Sequence, residues 1–444
     1  MTSEAKRAKI DDDTPLLNFL RWCNGVGLGL SSKVRVSKEG TVAEYGMLAQ
    51  DDIEVGEVLF TIPRAVLLHQ GTTSVSALLE KERVSLESSS GWVPLLLALL
   101  YEYTTPQSKW KPYLSLWTDF KMLDHPMFWS KAERDRLLMG TGIPEAVDKD
   151  LANIQREYRD VVLPFMAKHP DIWNPLTHTL ELYMQLVAFV MAYSFQEPQE
   201  ELEEDDEEEE EDEKAPNPPM MVPMADMLNH VSKHNANLEF TPDTLKMVCV
   251  CPIKKGEEVF NTYGQMANWQ LLHMYGFTQP YRNNADDTVD IPVANLHKAA
   301  AKDGDQQLLK EMWEVLQEKG AFVFGKNGCL TDMELHNTLK MLCMSREEFV
   351  EFKDNDGWED DEDEEEISQA FSNEGLPGLT SKWKQYIHEA ARLTVEGYHN
   401  IDRDRVLMEE RALLEGLSSR QRNALHVRYG QKTILEKVME LTKT

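Results

Sequence analysis

Within the stretch ADMLNHVSKHN at 225–235, Asp226, His230 and His234 recur at i, i+4 and i+8. A helix running through all three would put one carboxylate and two imidazoles on one face, the donor set of a zinc or iron site. A metallohydrolase built on Asp226, His230 and His234 is the reading that face supports. It requires the helix to persist for two turns. NHVSKHNAN, with its Asn, Ser and β-branched Val, favours a helix that ends near Asn229, after which His234 swings away. No other His or carboxylate cluster in the sequence completes the set, so no metal is expected. Asn229 and His230 become the residues to explain.

A second stretch, FNTYGQMANWQLLHMYGF at 260–277, carries two tyrosines at conspicuous places. It reads as a strand ending in NTYG, a short helix, and a YGF terminus. On its own residues, Tyr263 is a core tyrosine at a strand end and Tyr275 an aromatic at a helix end. Their neighbours in space decide whether they are more.

The elements that must position these residues follow from hydrophobic period and punctuation. Residues 14–30 read as a short amphipathic helix stopped by glycines. TVAEYGMLAQDDIEVGEVLFTIP at 41–63 reads as short strands broken at Gly46, Gly56 and Pro63. From about 75 to 195 the period is helical, with helices expected near 92–103, 131–139, 145–168 and 178–195. Strands return at 237–263, and 295–444 reads as mostly helical. The 41–63 block is too small to bury its own face, so it is expected to join the 237–263 block, with the helical block inserted between them.

Bulk composition excludes some partners. The chain has 444 residues and a formal charge of −31, from 77 acidic against 46 basic residues. Much of the excess lies in EPQEELEEDDEEEEEDEK at 197–214 and DNDGWEDDEDEEE at 354–366. Like-charge runs repel themselves and are expected to stay solvated and disordered. Such a protein attracts a Lys-rich peptide and repels duplex nucleic acid, so no nucleic-acid partner is expected. Five cysteines without a CxxC pair point to a reducing compartment and away from structural zinc. The first 30 residues hold no apolar signal region, and VPLLLALL and LVAFVMAY are too short to span a bilayer, so no membrane association is expected. AKRAKI at 5–10 is either an ordinary charged tail or a nuclear import signal.

Taken in order, EYGMLAQDDIEVGEVLFTIP (44–63), VPMADMLNH (222–230), VFNTYG (259–264) and ANWQLLHMYGF (267–277) resemble the SET-domain protein-lysine methyltransferases. The resemblance is to the branch that includes the plant Rubisco large-subunit methyltransferase. It implies an α+β SET fold, small mixed sheets with a pseudoknot, spanning 15–285. That domain would carry a helical insert at about 75–196 and an acidic disordered loop at 197–218, after a disordered tail at 1–14. A mostly helical substrate-binding domain would follow at 290–444, with the acidic loop 354–366 inside it.

The resemblance also implies a reaction, a cofactor and a site. The reaction is methyl transfer from S-adenosyl-L-methionine to the side-chain amine of lysine in protein substrates, among them histone and non-histone nuclear proteins. The expected location is the nucleus, with the cytoplasm second. Tyr263 would be the catalytic residue. Asn229 and His230 would hold the cofactor beneath the pseudoknot, with Ala43, Glu44 and Tyr45 along its amino-acid end and Tyr275 as a cofactor-side aromatic. Where the branch often shows Arg-Ser-Arg, with an Arg on the cofactor carboxylate, this sequence has Tyr193-Ser194-Phe195, which leaves that duty to the Tyr193 hydroxyl or to the backbone. Ser194 and Gln196 would face the substrate peptide beside Trp92, a residue that also reads as a buried aromatic capping its helix. The acidic loop is a linker or a guide for basic peptides. A non-catalytic SET-like adaptor is the alternative of another class; the presence of Tyr263, Asn229 and His230 favours the enzyme.

Overall fold

The computed structural model describes residues 14–117, 123–199, 216–302, 305–316, 320–354, 363–398 and 401–444. The tail 1–13, most of the first acidic run (200–215) and the middle of the second (355–362) lie outside the described residues. The chain divides into two compact units, one of 1–123 and 149–264, the other of 124–148 and 265–444.

In the first unit the two β blocks pair with each other. Val58–Pro63 lies antiparallel to Thr244–Cys249, which forms a hairpin with Ala236–Phe240. Gly46–Ala49 pairs with Val34–Ser37 on one side and with Glu258–Asn261 on the other. The alternation that makes these segments strands is visible in Thr244–Cys249, where Leu245, Met247 and Cys249 are buried and the residues between them are not. Two turns of the form Ile-x-x-Gly-Glu, at 53–57 and 253–257, precede the strands Val58–Pro63 and Glu258–Asn261. They face each other through a bridge between Ile53 and Ile253. Their glycines, Gly56 at φ 88° and Gly256 at φ 90°, occupy the left-handed region that side chains disfavour.

Asn229–His230 runs parallel to Glu258–Asn261, with Phe260 opposite Asn229 and Asn261 opposite His230. A parallel pair cannot be closed by a tight turn. Here the connection is the whole hairpin at 236–249, so the 229–230 segment passes alongside a strand that comes much later in sequence.

The inserted helices include Val93–Thr104 and Leu180–Tyr193, both buried around most of their circumference. Thr179 caps the second, its side chain accepting from the Leu182 N–H. Glu102, buried in the first, accepts hydrogen bonds from Thr73 Oγ1, the Ser74 N–H and Ser108 Oγ. A buried carboxylate is affordable only with such partners.

The second unit is mostly helical, ending in the long helix Ser419–Leu441, which Ser418 and Gln421 cap reciprocally. It also holds a three-stranded sheet of Thr288–Pro292, Ala321–Gly325 and Gly328–Cys329, the last two strands lying within the block read as mostly helical. The period-two alternation of Val289 with Ile291, and of Phe322 with Phe324, accounts for it, since all four enter one core. Residues 363–366 also depart from expectation. Instead of a loop, Asp363 caps the helix Glu364–Ala370, whose first turn gathers three glutamates at the positive end of the helix dipole. Likewise Glu197, at the edge of the first acidic run, is held by a bidentate ion pair with Arg64. No helix among the described residues is long and apolar enough to cross a membrane.

Candidate functional site

The chain leading into Asn229 is bent by force. Met224, at φ 75°, is the only non-glycine residue among those described with a positive φ. With ψ at −47° it lies near the rare, strained γ-turn conformation, and such outliers cluster at functional sites. It starts the 3₁₀ turn Ala225–Met227, which gives way to the strand Asn229–His230. The helical face that would have aligned Asp226, His230 and His234 therefore does not exist. Among the described residues no group of three or more His, Cys, Asp or Glu could hold a metal ion.

Instead Asp226, Met227 and Asn229 line one wall of a cleft of about 730 Å³, part of it open to solvent. A second wall is the loop Ala43, Glu44 and Tyr45, just before the strand Gly46–Ala49. Aromatic side chains from the helical insert make the rest: Tyr113, Trp117, Phe189 and Tyr193. Trp117 and Phe189 stack with ring centroids 4.5 Å apart, and Phe189 meets Tyr193, one helical turn on, at 5.6 Å. The mix of aromatic walls with a few polar groups is that of a small-molecule site.

Its polar groups are tuned by burial. Asp226 accepts a short hydrogen bond from the Tyr113 hydroxyl through Oδ2, while its buried Oδ1 has no partner among the described residues. Desolvation raises its carboxyl to about 7, against the pull of the Tyr113 bond. Burial, and then the Asp226 charge, raise the Tyr193 phenol to about 12. Asn229 spends both hydrogens of its amide, one on the Tyr45 carbonyl at 2.9 Å and one on Glu258 at 2.7 Å.

His230 follows in the same short strand. Its Nδ1 accepts from the Tyr263 backbone N–H at 2.9 Å, which assigns the ring proton to Nε2. Burial lowers this imidazole to about 4, so it stays neutral. The Tyr263 ring stacks on it, and the Tyr263 hydroxyl donates to the Leu228 carbonyl at 3.0 Å.

Of the residues expected from sequence, the structure gathers Ala43, Glu44, Tyr45, Tyr193 and Asn229 in the cleft. His230 and Tyr263 attach to it through the 228–230 backbone. Ser194, Gln196 and Trp92 are not among the cleft's lining residues. Ser194 sits in a two-stranded ribbon opposite Met221, and the Gln196 amide donates to the Asn217 carbonyl. Trp92 precedes the helix Val93–Thr104, half-buried, with its N–H on Ser90 Oγ. Tyr275 ends the helix Asn268–Tyr275 of the second unit, where burial raises its phenol to about 12. Sequence reading missed Tyr113, Trp117 and Phe189, and it weighed Asp226 only as a metal ligand. The i, i+4 pair Phe189–Tyr193 was the signal available.

Gly46 is required by close packing as well as by the break between strands. A Cβ there would stand 2.5 Å from Glu258 Oε1 and 2.9 Å from Asn229 Nδ2.

Residues 44–264 match the SET domain family, and residues 303–435 match the Rubisco LSMT substrate-binding family. The whole chain is 63% identical over 455 residues to the N-lysine methyltransferase setd6 of Salmo salar, covering 100% of both. It is 48% identical to the N-lysine methyltransferase SETD6 of Homo sapiens, again over the full length of both. Among solved structures, the SET domain of LSMT bound to lysine and AdoHcy superposes with a TM-score of 0.65 at 18% identity. That match covers 97% of this chain and 91% of the other. Rubisco LSMT bound to AdoMet gives a TM-score of 0.62 at 17% identity.

Proposed function

Because the chain belongs to the SET-domain N-lysine methyltransferases, which transfer a methyl group from S-adenosyl-L-methionine to lysine in proteins, we propose that the cleft between Tyr45, Tyr193 and Asn229 is where this one holds its cofactor. The observation that carries the reading is Asp226 Oδ1, a buried carboxylate oxygen without a partner among the described residues in an aromatic-lined cleft. An unpaired acceptor beside aromatic faces suits a cation. Bound there, S-adenosyl-L-methionine supplies a methyl group on an electron-poor sulfonium, open to in-line attack by a neutral amine.

The chain's own residues then position and desolvate. Trp117, Phe189 and Tyr193 exclude water and offer aromatic faces. Asn229 and the 43–45 loop hold the amino-acid end, and Tyr193 stands where relatives of the branch use an arginine. Tyr263 is the catalytic residue. Its hydroxyl donates to the Leu228 carbonyl, and a phenol oxygen that donates can also accept from an amine. In this reading it orients the amine and does not serve as the base. The lysine must arrive neutral, and an apolar channel favours the neutral form by desolvation.

The substrates, in this reading, are basic lysine-bearing segments of chromatin- or transcription-associated proteins, and the place is the nucleus. The charge of −31 and the AKRAKI cluster support both. The test is transfer of labelled methyl from S-adenosyl-L-methionine to a histone-tail peptide, with a peptide of the same charge having Arg at every Lys as control. Incorporation into the Lys peptide alone is the expected result. Label in neither would remove this substrate class.

A further inference from the structure

Glu258 is a buried carboxylate with no basic side chain among its recorded partners. It is 8% exposed, and its two oxygens are filled by amide hydrogens: Asn229 Nδ2 at 2.7 Å and the Val42 backbone N–H at 2.8 Å. Burial raises its carboxyl above the ordinary range, and the two hydrogen bonds oppose that rise. A fold gains little from a buried carboxylate without a cation, and neutral residues would pack there at lower cost. The position of this one is informative. Through Val42 it holds the loop whose next three residues, Ala43, Glu44 and Tyr45, line the cleft. Through Asn229 it holds the opposite wall.

We infer that Glu258 is a positioning residue for cofactor binding, which sets the orientation of the Asn229 amide and ties the 42–45 loop to it. An ionised carboxylate only accepts, so the face of Asn229 turned toward it must be the NH₂ group. The Tyr45 carbonyl, also only an acceptor, takes the second hydrogen. Oδ1 is then the atom Asn229 can offer a ligand, and it can be met only by a donor, such as the ammonium at the amino-acid end of S-adenosyl-L-methionine. Gly46 belongs to the same device. A methyl group there would displace the Glu258–Asn229 pair, the contacts being 2.5 and 2.9 Å. This inference rests on the cofactor reading above and adds which end of the cofactor the pair governs.

The experiment compares two probes by calorimetry on the full chain: S-adenosyl-L-methionine, and methylthioadenosine, which keeps the adenosine and sulfur but lacks the amino-acid end. Glu258→Gln leaves one acceptor oxygen for two donors. It should weaken S-adenosyl-L-methionine by roughly tenfold or more and methylthioadenosine by less than about threefold. Gly46→Ala keeps every charge and should show the same split, which guards against a Glu258 variant that fails to fold. Equal losses for both probes, no loss for either, or loss of folding in both variants would assign Glu258 to the scaffold and overturn the proposal. If the parent protein binds methylthioadenosine but not S-adenosyl-L-methionine, or neither, the cofactor reading itself is what has failed.

Discussion

The rings of His230 and Tyr263 lie 4.9 Å apart at 21°, and the Tyr263 N–H donates to His230 Nδ1 at 2.9 Å. Two residues 33 positions apart in sequence are thus locked by both ring and backbone. The lock exists because the 229–230 strand runs parallel to Glu258–Asn261. It fixes the Tyr263 hydroxyl against the Leu228 carbonyl, next to the residues that line the cleft. A neutral His230 is part of the arrangement, since a protonated Nδ1 could not accept.

Removing only the hydroxyl therefore tests Tyr263. Tyr263→Phe keeps the stack on His230 and the backbone bond. Turnover should fall by about a hundredfold or more while the KM for S-adenosyl-L-methionine stays within about threefold. Steady-state kinetics with both substrates varied gives the split. An unchanged kcat would take the hydroxyl out of the reacting centre.

Tyr193 stands at the end of the buried helix Leu180–Tyr193 and faces the cleft with a phenol that burial keeps protonated. As a donor to the cofactor carboxylate it should contribute about 1 kcal/mol. Tyr193→Phe is expected to weaken cofactor binding by about fivefold with an unaltered melting temperature. Unaltered affinity would leave the carboxylate to backbone groups alone.

Asp226 gives the cleft a pH dependence whose sign is fixed by its shift. Burial raises its carboxyl to about 7, so it changes charge across the neutral range. A cation in the cleft favours the charged form, so binding expels a proton and affinity rises as pH rises. Between pH 5.5 and 7.5 the affinity for S-adenosyl-L-methionine should tighten several-fold, and Asp226→Asn should flatten that rise. The cofactor's own groups titrate alike for both proteins, so the difference between them is the readout. Parallel profiles would separate Asp226 from the ligand.

Asp287 makes an opposite kind of prediction, about stability. It is 1% exposed, accepts from the Asn268 and Thr288 N–H groups through Oδ1, and leaves Oδ2 buried without a partner among the described residues. Burial raises it to about 6. A carboxyl whose folded pKa exceeds its unfolded value binds more protons when folded. Its effect is therefore a loss of stability as pH rises from about 4 to about 6, on the order of 3 kcal/mol, and constant above that. Asp287→Asn should melt higher than the parent at pH 7.5, with the advantage shrinking toward pH 4. An advantage equal at both pH values would point to packing and not charge.

Much of this was legible from residues alone because it follows from pattern. The order of strands, helices and strands, together with VPMADMLNH and VFNTYG, carried the fold class. The requirement that 41–63 find a partner led to the pairing of Gly46–Ala49 with Glu258–Asn261. What escaped depends on three dimensions. Trp117 and Phe189 went unnoticed, because stacking across the insert is not encoded in period. Glu258 went unnoticed beside Glu257 after Gly256; only the strand register turns it inward toward Asn229. The sheet at 288–329 was hidden by the helical signal around it. The Asp226–His230–His234 spacing suggested a face that the strained backbone at Met224 never forms.

Whether this cleft holds the cofactor is best decided by calorimetric titration of the purified, metal-stripped protein with S-adenosyl-L-methionine, beside Asn229→Ala. The parent should bind saturably, one to one, and the variant, which strips the cleft of its oriented amide, should lose roughly 1–3 kcal/mol. No binding by the parent, or the same affinity in both proteins, would contradict the placement of the cofactor in this cleft.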